Sequence, residues 1–322
     1  MLDTGTYSSP AAVEDVAIRD PMNVWYDVSW VRNDQIAYDV PDTSNRPVLF
    51  SPSLVPAIRH PLIVERGSDL TERLLANRFY TYADFTSVLE RDAINVVAGR
   101  LARKDFWCSL PAHVYLGAGR IYTDEAFHAQ ESDEIIAAVA RSTKIEPRHL
   151  HRPRFMKMLE SLCSGMDTTT QKIALIGFST VSETLISSIL DFIPNDPLVA
   201  PSVRGFVREH ARDEGRHHIF FSDVLAYGWP RLAKANQDVL GPLLPRFVRW
   251  FLEPDLQWLT SFLQEEGFSP QQIERIVGES YVESEVSESI RLAARHSIDL
   301  FNEVGVFESD EAREAFSTLD LI

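Results

Sequence analysis

Cysteine is scarce, with only Cys108 and Cys163 in 322 residues. The two stand too far apart for a CxxC redox or zinc pattern, and so few in a chain this size suggests a reducing compartment with both thiols buried and free. Positive charge is also short, since 31 Lys and Arg against 47 Asp and Glu leave a net charge of −16. Such a surface lacks the clustered cations that a phosphate backbone or an anionic membrane requires, so neither is an expected partner. No apolar run reaches the roughly eighteen residues that span a bilayer. The first residues lack the positive-then-apolar order of a signal peptide. A soluble, cytoplasmic protein is the expectation. Period-two alternation of any length is missing, as is any internal repeat, which argues against sheet and solenoid architectures. With 45% hydrophobic residues, the chain can bury a large core as one big domain or two.

Prolines at 10, 21, 41, 47, 52, 56 and 61 forbid long regular helices ahead of Gly67. Residues 1–67 therefore read as an irregular, proline-rich N-terminal arm, partly disordered, whose apolar stretch from Pro47 to Ile58 packs on a preformed body. Residues 68–322 read as a helical domain. Cap candidates at Ser68 to Glu72, then apolar residues at helical spacing through Leu75, Phe79, Tyr82, Phe85 and Leu89 to Val97 and Leu101, predict one long helix with Glu90 near its middle. Further helices are expected near 123–140, 154–163, 169–192 and 201–227, then near 241–265, 270–279 and 284–304. Pro194 and Pro197 end the fourth, and Pro201 suits the first turn of the fifth. The fold class that follows is all-α.

His210, Glu214 and His217 lie at i, i+4 and i+7, on one face of that fifth helix. Imidazole and carboxylate together suit a first-row transition metal such as iron, whereas calcium or magnesium calls for oxygen donors alone. Glu183 is the one charged residue between Ala174 and Leu190. A bare buried carboxylate is costly, so it is protonated, paired with a base, or bound to a metal. Glu90 has Tyr82, Ala83, Thr86, Ala93, Ile94 and Val97 on its face and no local cation. The pattern D-E-x-x-H occurs at Asp124-Glu125-Ala126-Phe127-His128 and again at Asp213-Glu214-Gly215-Arg216-His217. One E-x-x-H means little, because a Glu-rich chain with nine His yields about one by accident. Two on separate helices, with isolated glutamates on two more, match the ligand plan of a di-iron or di-manganese four-helix bundle. Four gathered carboxylates would repel by about 4 kcal/mol per close pair at an effective dielectric near 20, an objection that two cations remove.

These residues resemble the di-iron arylamine N-oxygenases, the family of p-aminobenzoate N-oxygenase. The resemblance runs from Val55-Pro56-Ala57-Ile58-Arg59-His60-Pro61-Leu62 through the Glu90 helix, Thr123 to His128 and Ser182-Glu183-Thr184-Leu185-Ile186 to His210–His217, and covers most of residues 50 to 225. His210 is its specific mark, since ordinary ferritin-like sites use two histidines and this family adds a third. The resemblance implies a ferritin-like four-helix bundle core with flanking helices, and seven ligands: Glu90, Glu125, His128, Glu183, His210, Glu214 and His217, with Glu125 and Glu214 as bridges. It further implies two iron ions, with manganese admitted by the ligand types, and O2 as co-substrate forming a peroxo-di-iron species. That oxidant would convert an amine nitrogen to the hydroxylamine, nitroso or nitro level in antibiotic or related biosynthesis. The amine could be carrier-bound, and an external electron donor is implied. No catalytic residue beyond the metal ligands is required. A homodimer is expected from symmetry statistics.

Two alternatives stay open: a di-iron enzyme acting on carbon as hydroxylase or desaturase, since fold does not fix function, and a non-catalytic iron-binding protein. Around the ligands, Asp124 and Asp213 read as acceptors for imidazole N–H groups, each from the other motif's histidine, or as partners in exposed salt bridges. Tyr82 either lines a substrate pocket or packs in the core. Arg291 and Arg295 either anchor a substrate carboxylate as a fork or lie on a solvated face with Glu288. His218, about 100° around the helix from His217, should miss the metals. His60, His113, His149, His151 and His296 read as loop or surface residues.

Overall fold

The structure, a computed structural model, describes residues 17–33, 47–148 and 150–322. Residues 1–16 and 34–46 of the expected arm, and His149, lie outside the described residues. Prolines do keep helices short at the start: α1 (Trp25–Val28) and α2 (Pro61–Val64) are single turns among 3-10 turns. Among the described residues, a lone parallel bridge, Val48 to Val199, ties the arm to the segment just ahead of Pro201.

The long helix around Glu90 forms as α3 (Ser68–Leu89) and α4 (Asn95–Ala102), joined by a π-helical turn, Glu90–Ile94. Such turns insert one residue into the ladder and re-aim the side chains there, and they cluster at functional sites. Next, α5 spans Ala112–Thr143, starting well before the expected Thr123. Gly117 and Gly119 weaken the helical signal in that first part. Packing supplies what propensity lacks, for a Cβ on Gly117 would come within 3.1 Å of the Phe220 ring and 3.4 Å of Met22. The glycine thus permits close approach rather than a turn.

Beyond it come α6 (Arg154–Ser164), α7 (Thr168–Leu190) and α8 (Pro201–Gly228). Asp167 caps α7 by accepting from the Thr169 and Thr170 amides, the donors a helix start leaves unpaired. The helix expected over 241–265 is instead α10 (Leu244–Leu252) and α11 (Gln257–Glu265), following α9 (Lys234–Leu240). Pro254, which lacks an amide hydrogen, sits in the break. Then come α12 (Pro270–Ser280), α13 (Glu283–Glu303) and α14 (Asp310–Thr318), the last unanticipated and capped by Ser309.

All regular structure among the described residues is helical, and no helix there is long and apolar enough to cross a membrane. α5 packs along α3 and α4, α7 packs along α8, α5 also meets α8, and α4 and the π turn meet α7. These contacts close a ring of four helical rods, with α10 and α13 against the outside of α7. The arm is less peripheral than its prolines suggest, since Met22 and Trp30 are 0% and 2% exposed.

Candidate metal centre

Each rod of the ring brings at least one polar side chain inward. Glu90 opens the π turn, Glu125 and His128 lie on α5, Glu183 on α7, and His210, Glu214 and His217 on α8. All seven are at most 1% exposed. Spacings of three and four residues stack the α5 and α8 groups on single faces. Glu90, His128, His210 and Glu214 each place one donor atom within 4.8 Å of the others, and Glu125, Glu183, Glu214 and His217 do the same. The structure therefore brings together every ligand candidate, in two groups that share Glu214. Glu125 reaches toward both, with Oε1 2.8 Å from His217 Nδ1 and Oε2 3.6 Å from His128 Nδ1.

Mixed imidazole and carboxylate donors suit iron or manganese, and the unmet polar atoms suit a cation as well. Among the described residues, both oxygens of Glu90 and of Glu125, one each of Glu183 and Glu214, and Nδ1 of His128 and His217 are buried without a well-aligned hydrogen bond, though several face one another as close charged pairs. Buried polar atoms left so cost roughly 1–3 kcal/mol each, and two cations would answer all of them. The residues present thus fit two metal ions.

Without metals, protons are the counter-charge. Burial lifts Glu90 to about 7, against the pull of His210. Burial alone would lower His210, but the Glu90 carboxylate and other neighbours outweigh it and raise it to about 9. Glu183 is raised well above its usual value by burial and by Glu214 and Glu125. Glu214 is depressed despite burial, because three imidazoles face it. Glu90 and His210 both have folded pKa values above their unfolded ones, so their share of stability is complete at low pH and lost as pH climbs through about 7 and then about 9. The metal-free protein should accordingly lose on the order of 3 kcal/mol of unfolding free energy between pH 6 and pH 9. Metal-loaded protein should change less over that window. Denaturant titrations of both forms check this, and parallel profiles would show that protons do not stand in for the cations.

The outer nitrogens of two histidines are held crosswise. His128 Nε2 lies 3.0 Å from Asp213 Oδ2, and His217 Nε2 lies 3.2 Å from Asp124 Oδ2. Each aspartate therefore meets the histidine of the other D-E-x-x-H motif. A proton on Nε2 leaves Nδ1 free toward the carboxylate cluster. His210 is turned the other way: its Nε2 lies 2.8 Å from Glu90 Oε1 and 3.0 Å from Glu214 Oε1, and its Nδ1 has no partner. The aspartates have donors that sequence reading missed. Trp25 Nε1 and Ser29 Oγ donate to Asp124 Oδ1 at 2.7 and 2.6 Å. The Trp30 amide donates to Asp213 Oδ2 at 3.1 Å, and Arg216 pairs with Asp213 Oδ1. No periodicity or motif marks the arm residues.

A cavity of about 230 Å³ adjoins α3, with Arg78, Tyr82, Phe85, Trp250, Trp258 and Tyr281 in its lining. Tyr82 is part of that lining: burial raises its phenol far above the usual value, Glu90 and Glu214 push it further, and Arg78 and Thr86 oppose them. Arg78, half-buried in the cavity wall, has no carboxylate partner among the described residues. Its guanidinium lies 4.7 Å from the centre of the Phe50 ring, and burial lowers its pKa, with Tyr281 and Tyr82 opposing. Of the two readings for Arg291 and Arg295, a substrate anchor or a solvated helix face, the structure fits the second, for neither lines this cavity. Both are exposed on α13, where Arg291 pairs with Asp320 at 3.0 Å. The face of α13 turned inward carries Ile290, Ala294, Ser297 and Phe301 instead. His60 also departs from expectation, being 5% exposed, with Nδ1 capping α2 and Nε2 3.0 Å from Glu279. His113 and His151 are partly buried, and His296 is exposed.

Helices alone among the described residues, and a core that gathers three histidines and four glutamates into two groups sharing a glutamate, define an all-α protein with buried groups that could hold metal ions. Comparison with family models narrows this: the one described as P-aminobenzoate N-oxygenase AurF matches residues 12–305. The chain belongs to that family. A comparison with curated proteins finds no match.

Proposed function

We propose that the protein is a non-haem di-iron oxygenase that uses O2 to oxidise the nitrogen of an arylamine to the hydroxylamine, nitroso or nitro level, in secondary-metabolite biosynthesis. The observation that carries this reading is the pair of four-residue donor groups sharing Glu214, in a chain of the N-oxygenase family. Glu90, His128 and His210 would hold one ion, Glu125, Glu183 and His217 the other, and Glu214 both. When bound, the two irons supply oxygen activation and redox chemistry, with electrons from an external donor.

The chain's own residues do the rest. Asp213 and Asp124 hold the Nε2 protons of His128 and His217, so the imidazoles cannot rotate away. Trp30 packs against Phe127, His128 and Phe206, which keeps water from that side of the cluster. The cavity beside α3, which Tyr82 helps to line, would receive the substrate. Phe85, Trp250 and Trp258 offer aromatic faces to an aryl ring. Arg78 offers an unclaimed guanidinium to an acidic group on that ring, and Tyr82 stands on the side of Glu90.

The test is product analysis. Iron-loaded, chemically reduced protein is given O2 and a panel of aromatic amines, some bearing a carboxylate, and products are identified by mass spectrometry. Hydroxylamine, nitroso or nitro products are expected. Oxygen inserted only at carbon, or iron that oxidises without consuming any amine, would overturn the reading.

A further inference from the structure

The part of the chain least like a functional element touches the metal centre most intimately from outside. Residues 18–32 cross α5 and α8 and are pinned along their length. At one end the Arg19 guanidinium and amide bind the Asp223 carboxylate on α8 at 2.5, 2.8 and 2.9 Å. Next, the Met22 carbonyl accepts from Arg120 of α5 at 2.6 Å. Then Trp25 and Ser29 donate to Asp124, and at the far end the Trp30 amide donates to Asp213. Trp25, Ser29 and Trp30 are 8%, 0% and 2% exposed. One short segment thus holds both aspartates that hold the two outer imidazole nitrogens.

The consequence is specific. A carboxylate with two donors on one oxygen is fixed in place, and its other oxygen is then aimed at the imidazole. Asp124 has that arrangement: Oδ1 takes Trp25 and Ser29, and Oδ2 takes His217. Free of those donors, the carboxylate can rotate, and the imidazole loses its fixed orientation. Partners at this remove from a metal are worth about 10- to 100-fold in its affinity. The geometry points to residues 18–32 as a positioning strap for the metal centre, in which Trp25 and Ser29, acting through Asp124 and His217, set the affinity of one ion of the pair. This inference rests on the two-metal reading above. It also separates the two ions, because His217 belongs to the group with Glu125 and Glu183, whereas His128, held through Asp213, belongs to the group with Glu90 and His210.

The experiment is a titration of the full chain with Co(II), whose visible absorption reports its ligands, in competition with a chelator. Wild type should take two equivalents. The double variant Trp25→Phe, Ser29→Ala keeps an aromatic ring at position 25 but removes both donors, and should bind one equivalent as before and the other more weakly, by up to the roughly 10- to 100-fold that the Asp124 contact itself is worth. A mutant cycle supplies a readout that mere destabilisation would not move. If the strap acts through Asp124, Asp124→Asn should weaken the same equivalent, and adding the strap substitutions to it should cost nothing further. Should the double variant not fold, Ser29→Ala alone, which deletes a single oxygen, should weaken that equivalent several-fold. Two equivalents at wild-type affinity in the variant, equal weakening of both, or full additivity with Asp124→Asn would each overturn the strap and leave the metal centre standing. Wild type that takes up fewer than two equivalents would overturn the two-metal reading and the strap with it.

Discussion

Replacing Glu214 by Ala should abolish tight binding of both metal ions, whereas replacing Glu183 by Ala should abolish only one. The difference follows from membership, since Glu214 belongs to both donor groups and Glu183 to one. Loss of a direct ligand should exceed the 10- to 100-fold cost of losing a partner behind a ligand, so a fall of more than about 100-fold is expected at each affected site. Electrostatics adds a second signature. In the metal-free protein the depressed Glu214 carboxylate is the common counter-charge for His128, His210 and His217. Its removal takes one carboxylate from each of three buried imidazoles that keep Asp213, Asp124 and Glu90 respectively, so the cost is below the roughly 3–5 kcal/mol of a buried pair that loses its one partner. Glu214→Ala protein should therefore be less stable near pH 6, where those imidazoles are protonated. Glu214→Gln, which preserves volume, separates lost charge from a lost side chain. Metal content after dialysis, alongside denaturant melts, reads both effects. Two ions retained at wild-type affinity in Glu214→Ala would remove the shared-ligand assignment.

How much of this was legible in sequence depends on how each residue is held. The ligand candidates were readable because each sits on a helix, where a spacing of three, four or seven residues maps onto one face without knowledge of the rest of the chain. Glu183 stood out for a complementary reason, as a lone charge in an apolar helix that only burial could explain. The strap was not readable. Trp25 and Ser29 lie 99 and 95 residues from Asp124, in a stretch without periodicity, and nothing local distinguishes a docked turn from a loop. The early start of α5 was hidden because Gly117 lowers helix propensity while its bare backbone admits Phe220, so tertiary contact overrides the local signal. The break at Pro254 follows from a residue that lacks an amide hydrogen, a local signal the sequence carries. Arg291 and Arg295 show the limit of residue chemistry alone: a guanidinium suits a carboxylate anywhere, and the face of α13 on which these two lie gives it to Asp320 and solvent.

The same chemistry reappears at Arg78, where the surroundings differ. Several arginines of this chain are paired, Arg73 with Glu266 and Arg154 with Glu253, for example, whereas Arg78 has no carboxylate partner among the described residues, although it lines the cavity beside Tyr82. A guanidinium partly withdrawn from water and without a carboxylate is disfavoured in its charged form, so burial lowers the Arg78 pKa. A substrate acid would relieve that cost on entering, and Phe50 beneath the guanidinium limits how far it can swing. Arg78→Met keeps the apolar stem and removes the charge. It should raise KM for an arylamine bearing a carboxylate by about 10- to 150-fold, the range for a hydrogen bond to a charged group. The effect should fall on KM more than kcat, because the contact is made equally in the bound state and in the transition state. An arylamine without an acid group should be turned over as before, so the preference between the two substrates collapses. Arg78→Lys should recover only part of it, since an ammonium keeps the charge but not the fork. Metal content should be unchanged. Equal losses on acidic and neutral amines would mean that Arg78 shapes the cavity and does not read the substrate's charge.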